Sequence, residues 1–155
     1  MFGRLKWQAW GLMAGVLWAL AHPAQPAWAQ AVVQSHLVTA AWVQQQQQQQ
    51  QLGPAALRVL DASPTQLHRA GHIPGAISAD MMVFGPTGAT PQQMQQRLRG
   101  WGISAGQRIV IVDQGGSYQA PRLFWDLAYH GVPTEQLFIL NGGMAQWRVG
   151  DLARE

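Results

Sequence analysis

The sequence contains no cysteine. That absence excludes disulfides and any thiol chemistry carried out by this chain alone. Acidic residues are few, 7 against 10 lysines and arginines, and charged residues make up only 11% of the total. With 48% hydrophobic residues the chain can build a core, so global disorder is excluded. No apolar run reaches the ~20 residues needed to cross a bilayer. The longest, Trp10 to Ala21, carries no charge but is too short to span.

What is present near the start reads as an export leader. Arg4 and Lys6 form a charged segment, Trp10 to Ala21 an apolar one, and Ala27-Trp28-Ala29 a small-x-small cleavage site. The expected organisation is a signal peptide over 1–29, a tail over 30–36, a folded domain over 37–150 and a short tail over 151–155. Cutting after Ala29 removes Arg4 and Lys6, and the formal charge falls from +3 to +1. The basicity therefore belongs mostly to the leader and gives no ground for a nucleic-acid partner. Once cleaved, the protein is expected to be periplasmic or secreted, with no membrane contact.

At 155 residues the chain suits one domain. Ser35 to Val43 reads as the start of a helix, with Thr39 as its N-cap. Gln44 to Gln51 is a run of eight glutamines, read as a solvated helix end or loop, and Gly53-Pro54 stops it. Leu57 to Asp61 reads as a strand and Ala76 to Ala79 as a weaker one. Thr90-Pro91 opens a helix whose apolar face is Met94, Leu98 and Trp101, and Gly102 closes it. Ile109 to Val112 is continuously β-branched and apolar, as expected of a parallel strand buried on both faces. A helix follows from about Ala120 to His130, ended by Gly131 and Pro133. Leu137 to Leu140 is a further buried strand, and Asn141-Gly142-Gly143 turns into a last helix with Met144 and Trp147. Strands alternating with helices predict an α/β fold, a parallel central sheet covered by helices on both faces. Ligands of such sheets sit beyond the carboxyl ends of the strands, after Leu60, Val112 and Leu140.

The loop Asp113-Gln114-Gly115-Gly116-Ser117-Tyr118-Gln119 joins the buried strand to a helix N-terminus. Its amides can converge on a negative charge, or its glycines can simply permit a tight turn. The segment His68-Arg69-Ala70-Gly71-His72-Ile73-Pro74-Gly75-Ala76 contains H-I-P-G-A. It resembles the signature of the rhodanese, or sulfurtransferase, family. Leu140-Asn141-Gly142-Gly143-Met144-Ala145-Gln146-Trp147 resembles that family's closing motif, and Arg58-Val59-Leu60-Asp61 its first core strand. The resemblance runs from about Leu37 to Gly150.

The resemblance implies a rhodanese-like three-layer sandwich. Active members carry a cysteine just after the central strand, where this chain has Asp113. Their thiolate takes sulfur from thiosulfate or mercaptopyruvate and passes it to cyanide or another thiophile. A carboxylate cannot form a persulfide, so no catalytic residue is expected here. Asp113 would instead fill the cradle formed by Asp113, Gln114, Gly115, Gly116, Ser117 and Tyr118. Asp61, His72, Pro74, Gly75, Gly142, Gly143 and Trp147 match family positions with structural roles. His72 is expected to hydrogen-bond backbone around the Ile73-Pro74-Gly75 turn, and Asp61 to end its strand and cap a neighbouring loop. Asp-x-Gly-Gly with the long loop looks like the non-catalytic amino-terminal domain of tandem sulfurtransferases. The chain departs from the family in His68 for an aromatic residue, Asn141 for Asp, and Ser63 where active members often have Arg.

His68 and His72 are four apart, as in a metal-binding helix, but Gly71 and Pro74 oppose a helix there and no third ligand is evident, so neither metal nor cofactor is expected. Ser117 lacks the G-x-S-x-G elbow of hydrolases. Arg122 and Asp126 are spaced for a surface ion pair. Trp101, Trp125 and Trp147 read as core or interface aromatics. Three functions follow: an inactive domain of a tandem protein, a subunit that joins a separate catalytic rhodanese domain or its own copy, and a small-anion sensor.

Overall fold

The computed structural model describes residues 35–49, 57–84 and 88–150. The leader, Gln50 to Ala56 and the last five residues lie outside them, and with them the readings of the cleavage site and of Gly53-Pro54. Five parallel strands form one sheet in the order β1-β5-β4-β2-β3. They are β1 (Leu37–Val38), β2 (Arg58–Asp61), β3 (Ile77–Ser78), β4 (Ile109–Val112) and β5 (Leu137–Leu140). The helices are α1 (Ala40–Gln49), α2 (Thr65–Ala70), α3 (Pro91–Gly100), α4 (Gln119–Tyr129) and α5 (Gly143–Val149).

The central strand explains the layering. All four β4 residues are fully buried, and side chains alternate across a strand, so each face of the sheet receives two of them. Val110 and Val112 join Val43 of α1 and Met144 and Trp147 of α5 on one face. Ile109 and Ile111 join Met94 of α3 and Leu123 and Leu127 of α4 on the other. Each such aliphatic side chain stabilises the fold by about 1.5–3 kcal/mol. This is the three-layer α/β sandwich that the alternating pattern predicts.

Local signals account for some of the helix ends. Thr90 closes a capping box with Gln93, and Pro91 follows at the first helical position. Gly131, at φ +90, ends the connection after α4 in a conformation that favours glycine. The expectation of a helix starting near Ser35 is corrected, because Leu37 and Val38 form edge strand β1. They pair with Ile139 and Leu140, and a long-range ladder with β5 outweighs the local helical pattern. The helix begins at Ala40, and Thr39 Oγ1 accepts the Trp42 N–H at 3.2 Å. It runs through the glutamines to Gln49, and Gln47 Nε2 donates to the Pro74 carbonyl at 2.9 Å. The strand expected over Ala76 to Ala79 is only Ile77–Ser78.

Candidate functional site

The carboxyl ends of β2 and β4 lie side by side, with Asp61 in register with Val112. Asp113 is the next residue and is only 5% exposed. Its Oδ1 accepts the Gly115 N–H at 2.8 Å. Its Oδ2 accepts the Ser117 hydroxyl at 2.7 Å and the Ala120 N–H, in the first turn of α4, at 3.1 Å. Tyr118, the residue before α4, offers no side-chain cap, so the Asp113 carboxylate takes over that role at the positive end of the helix. The buried charge thus has three donors around it, which offset the cost of removing it from water.

The loop is fixed from behind by α5. Met144 N–H donates to the Asp113 carbonyl at 2.7 Å and Ala145 N–H to the Gln114 carbonyl at 3.2 Å. This close approach needs glycine at 143. Gly143 has φ +55, and a Cβ there would lie 2.6 Å from Gly115 N and 2.9 Å from Asp113 Oδ1. A Cβ on Gly115, at φ +98, would likewise strike the Gly142 carbonyl.

Gln114 closes the mouth of the loop. Its Nε2 donates to Ser63 Oγ at 3.0 Å, and its Oε1 accepts from Arg148 Nη2 at 3.2 Å. Ser63, at the position where active relatives often have Arg, is fully buried. Gly116 and Tyr118 are both exposed, and the Tyr118 hydroxyl points to Met82 Sδ at 3.9 Å.

Asp61 is fully buried beside this loop. Its Oδ1 accepts the Ser63 N–H at 3.0 Å, and its Oδ2 lies 3.0 Å from His68 Nδ1. His68 stacks on His72 with ring centroids 3.9 Å apart, and His72 Nδ1 meets the His68 carbonyl at 2.9 Å, upstream of the Ile73-Pro74-Gly75 turn. Sequence reasoning missed α2, which carries His68. The helix buries none of its residues, so it has no apolar period to reveal it. The Asp61–His68 pair was missed with it. Among the described residues, no group of three or more His, Cys, Asp or Glu side chains could hold a metal ion.

The remaining motif residues stand apart from the loop or behind it. Trp147 is buried in the core, Gly75 takes φ +72, Gly142 takes φ +73, and the Pro74 carbonyl receives Gln47. The Arg122–Asp126 pair exists, with Nε 3.1 and 3.3 Å from the two carboxylate oxygens. It is not a surface pair, because Asp126 is buried and only the arginine reaches solvent.

Among the described residues, the shift at Asp80 is clear. Burial raises the Asp80 pKa, but the Thr65 and Met82 N–H groups and the Thr65 hydroxyl outweigh it and hold the carboxyl below its ordinary value.

The sequence profile of the Rhodanese-like domain family matches residues 39–149. The 3-mercaptopyruvate sulfurtransferase of Escherichia coli is 31% identical over 102 residues, covering 61% of this chain and 36% of the relative. A thiosulfate/3-mercaptopyruvate sulfurtransferase of Arabidopsis thaliana is 27% identical over 113 residues, covering 63% of this chain and 32% of the relative. The chain thus spans about a third of the length of these curated relatives. Among solved structures, SseA, a 3-mercaptopyruvate sulfurtransferase from Escherichia coli, superposes with a TM-score of 0.64 at 28% identity, over 78% of this chain and 51% of that one. YnjE superposes with a TM-score of 0.65 at 24% identity, which bears on the fold alone. The family profile covers most of the chain, and the chain belongs to the rhodanese-like domain family of sulfurtransferases.

Proposed function

We propose that this chain is a catalytically inactive rhodanese-like domain of an exported sulfurtransferase-type protein, with a structural or binding role. One observation carries the reading: the Asp113 carboxylate takes the Gly115, Ser117 and Ala120 donors at the position where the family resemblance puts a thiolate. Sulfur transfer needs a polarisable nucleophile that can become a persulfide. Aspartate offers no sulfur, and its fixed charge repels an incoming anion from the same donors. The chain has no cysteine elsewhere to replace it.

The Asp-x-Gly-Gly loop, Asp113 to Gly116, supports a place within a tandem arrangement, since it looks like that of the non-catalytic amino-terminal domain of tandem sulfurtransferases. The catalytic partner in this reading is a second rhodanese-like domain, in the same or a separate polypeptide. The small-anion sensor is the weaker reading, because Asp113 would first have to release three hydrogen bonds. The leader, Arg4 to Ala29, is the support for export.

The test is sulfur transfer by the purified protein. With thiosulfate or 3-mercaptopyruvate as donor and cyanide as acceptor, thiocyanate should form no faster than in buffer. Turnover that co-purifies with the chain and disappears in Asp113→Ala would overturn the proposal.

A further inference from the structure

We propose that the outer face of α3 and α4 is a docking groove for an acidic, apolar segment of a partner protein. The inference rests on this face alone and does not depend on the Asp113 site. Trp125 and Tyr129, one helical turn apart on α4, are 56% and 72% exposed. Their rings stack with centroids 5.1 Å apart and planes 14° from parallel. Arg122 lies over the Trp125 ring at 5.9 Å. Trp, Tyr and Arg are the side chains that dominate binding energy at protein interfaces. Beside them runs a groove of about 720 Å³ between α3 and the end of α4, lined by Pro91, Gln92, Gln95, Leu98 and Tyr129. The two glutamines supply neutral donors and acceptors for an extended backbone, and Leu98 and Tyr129 supply apolar walls.

Charge selects an acidic occupant. Asp126 is the sole carboxylate on the two helices, and it is buried and held by Arg122 Nε. The Arg122 Nη groups have no acceptor among the described residues, so a carboxylate from outside can take them. Arg99 is exposed on α3. At the end of α4 the ring nitrogens of His130 face two carbonyl oxygens, Asp126 at 2.7 Å and Ala89 at 2.9 Å. These contacts hold the ring in place at the end of the groove. Elsewhere among the described residues, Asp61 and Asp113 are buried and Asp80 is half-buried against Thr65, which leaves Glu135 as the one exposed acid. The face therefore carries positive charge and aromatic surface with no carboxylate of its own at the surface.

Peptides selected from a displayed random library against the intact protein test the proposal, with affinities read by fluorescence anisotropy of the synthetic winners. The expected consensus alternates acidic and apolar residues. Trp125→Ala and Tyr129→Ala, both exposed and tolerant of truncation, should each weaken binding at least about tenfold. Arg122→Gln should do the same, whereas Arg69→Gln, which removes an equal charge from exposed α2, should change it less than about twofold. An equal loss with Arg69→Gln means general attraction to a basic protein and overturns the proposal. So does a consensus without acids, the absence of any winner, or light scattering that shows the face covered by a second copy of the chain.

Discussion

At the scale of single residues, the Asp113 carboxylate fills the head of its own loop. Its three donors face a carboxylate that cannot leave. Asp113→Ala removes the acceptor of the Gly115 and Ala120 amides, which should cost about 2–3 kcal/mol, read from urea unfolding midpoints at constant m-value. Asp80 gives a prediction in pH. Its folded pKa lies below the ordinary carboxylate value, so its contribution is present above about pH 4 and fades as pH falls through the folded value. Stability of the wild type relative to Asp80→Asn should therefore be greatest near neutrality and shrink in acid. A gap that widens in acid would contradict the hydrogen-bond account. The identity of residue 113 was legible in the sequence because it follows a strand that nothing else could be. The Asp61–His68 pair and the Gln114 bridge to Ser63 and Arg148 were not legible, because they join side chains 7, 51 and 34 positions apart through tertiary contact alone.

Secondary-structure elements divide along the same line. β4 and β5 were legible because strands buried on both faces are apolar throughout, and α3 because Thr90 and Pro91 write its start into the sequence. β1 was misread as helix because it is two residues long, and a pairing with β5 decides its conformation. α2 was overlooked because it buries nothing. The junction of β5 and α5 is the element most sensitive to a single atom. Gly143→Ala adds a methyl group within 3 Å of the Asp113 loop at a positive φ, so it should destabilise by more than about 2 kcal/mol, measured by thermal or urea unfolding. Thr90→Ala, which removes one reciprocal cap on an exposed turn, should cost only about 1 kcal/mol. Equal losses for the two would refute the distinction between a clash at the loop and a cap at the surface.

For the whole molecule, the parallel sheet does two things that the sequence pattern foretold. It buries β4 between two helical layers, and it delivers Asp113 to the amino end of α4. What the sequence could not foretell is the surface. Among the described residues, Asp61, Asp113 and Asp126 are buried, whereas Arg69, Arg99, Arg108 and Arg148 are exposed. The measurement closest to the central claim is calorimetric titration of thiosulfate into the wild-type protein and into Asp113→Ala. The account predicts no binding heat for the wild type, whose donors are taken by the tethered carboxylate, and binding by the variant. Saturable binding of thiosulfate to the wild type, as tight as to Asp113→Ala, would contradict it.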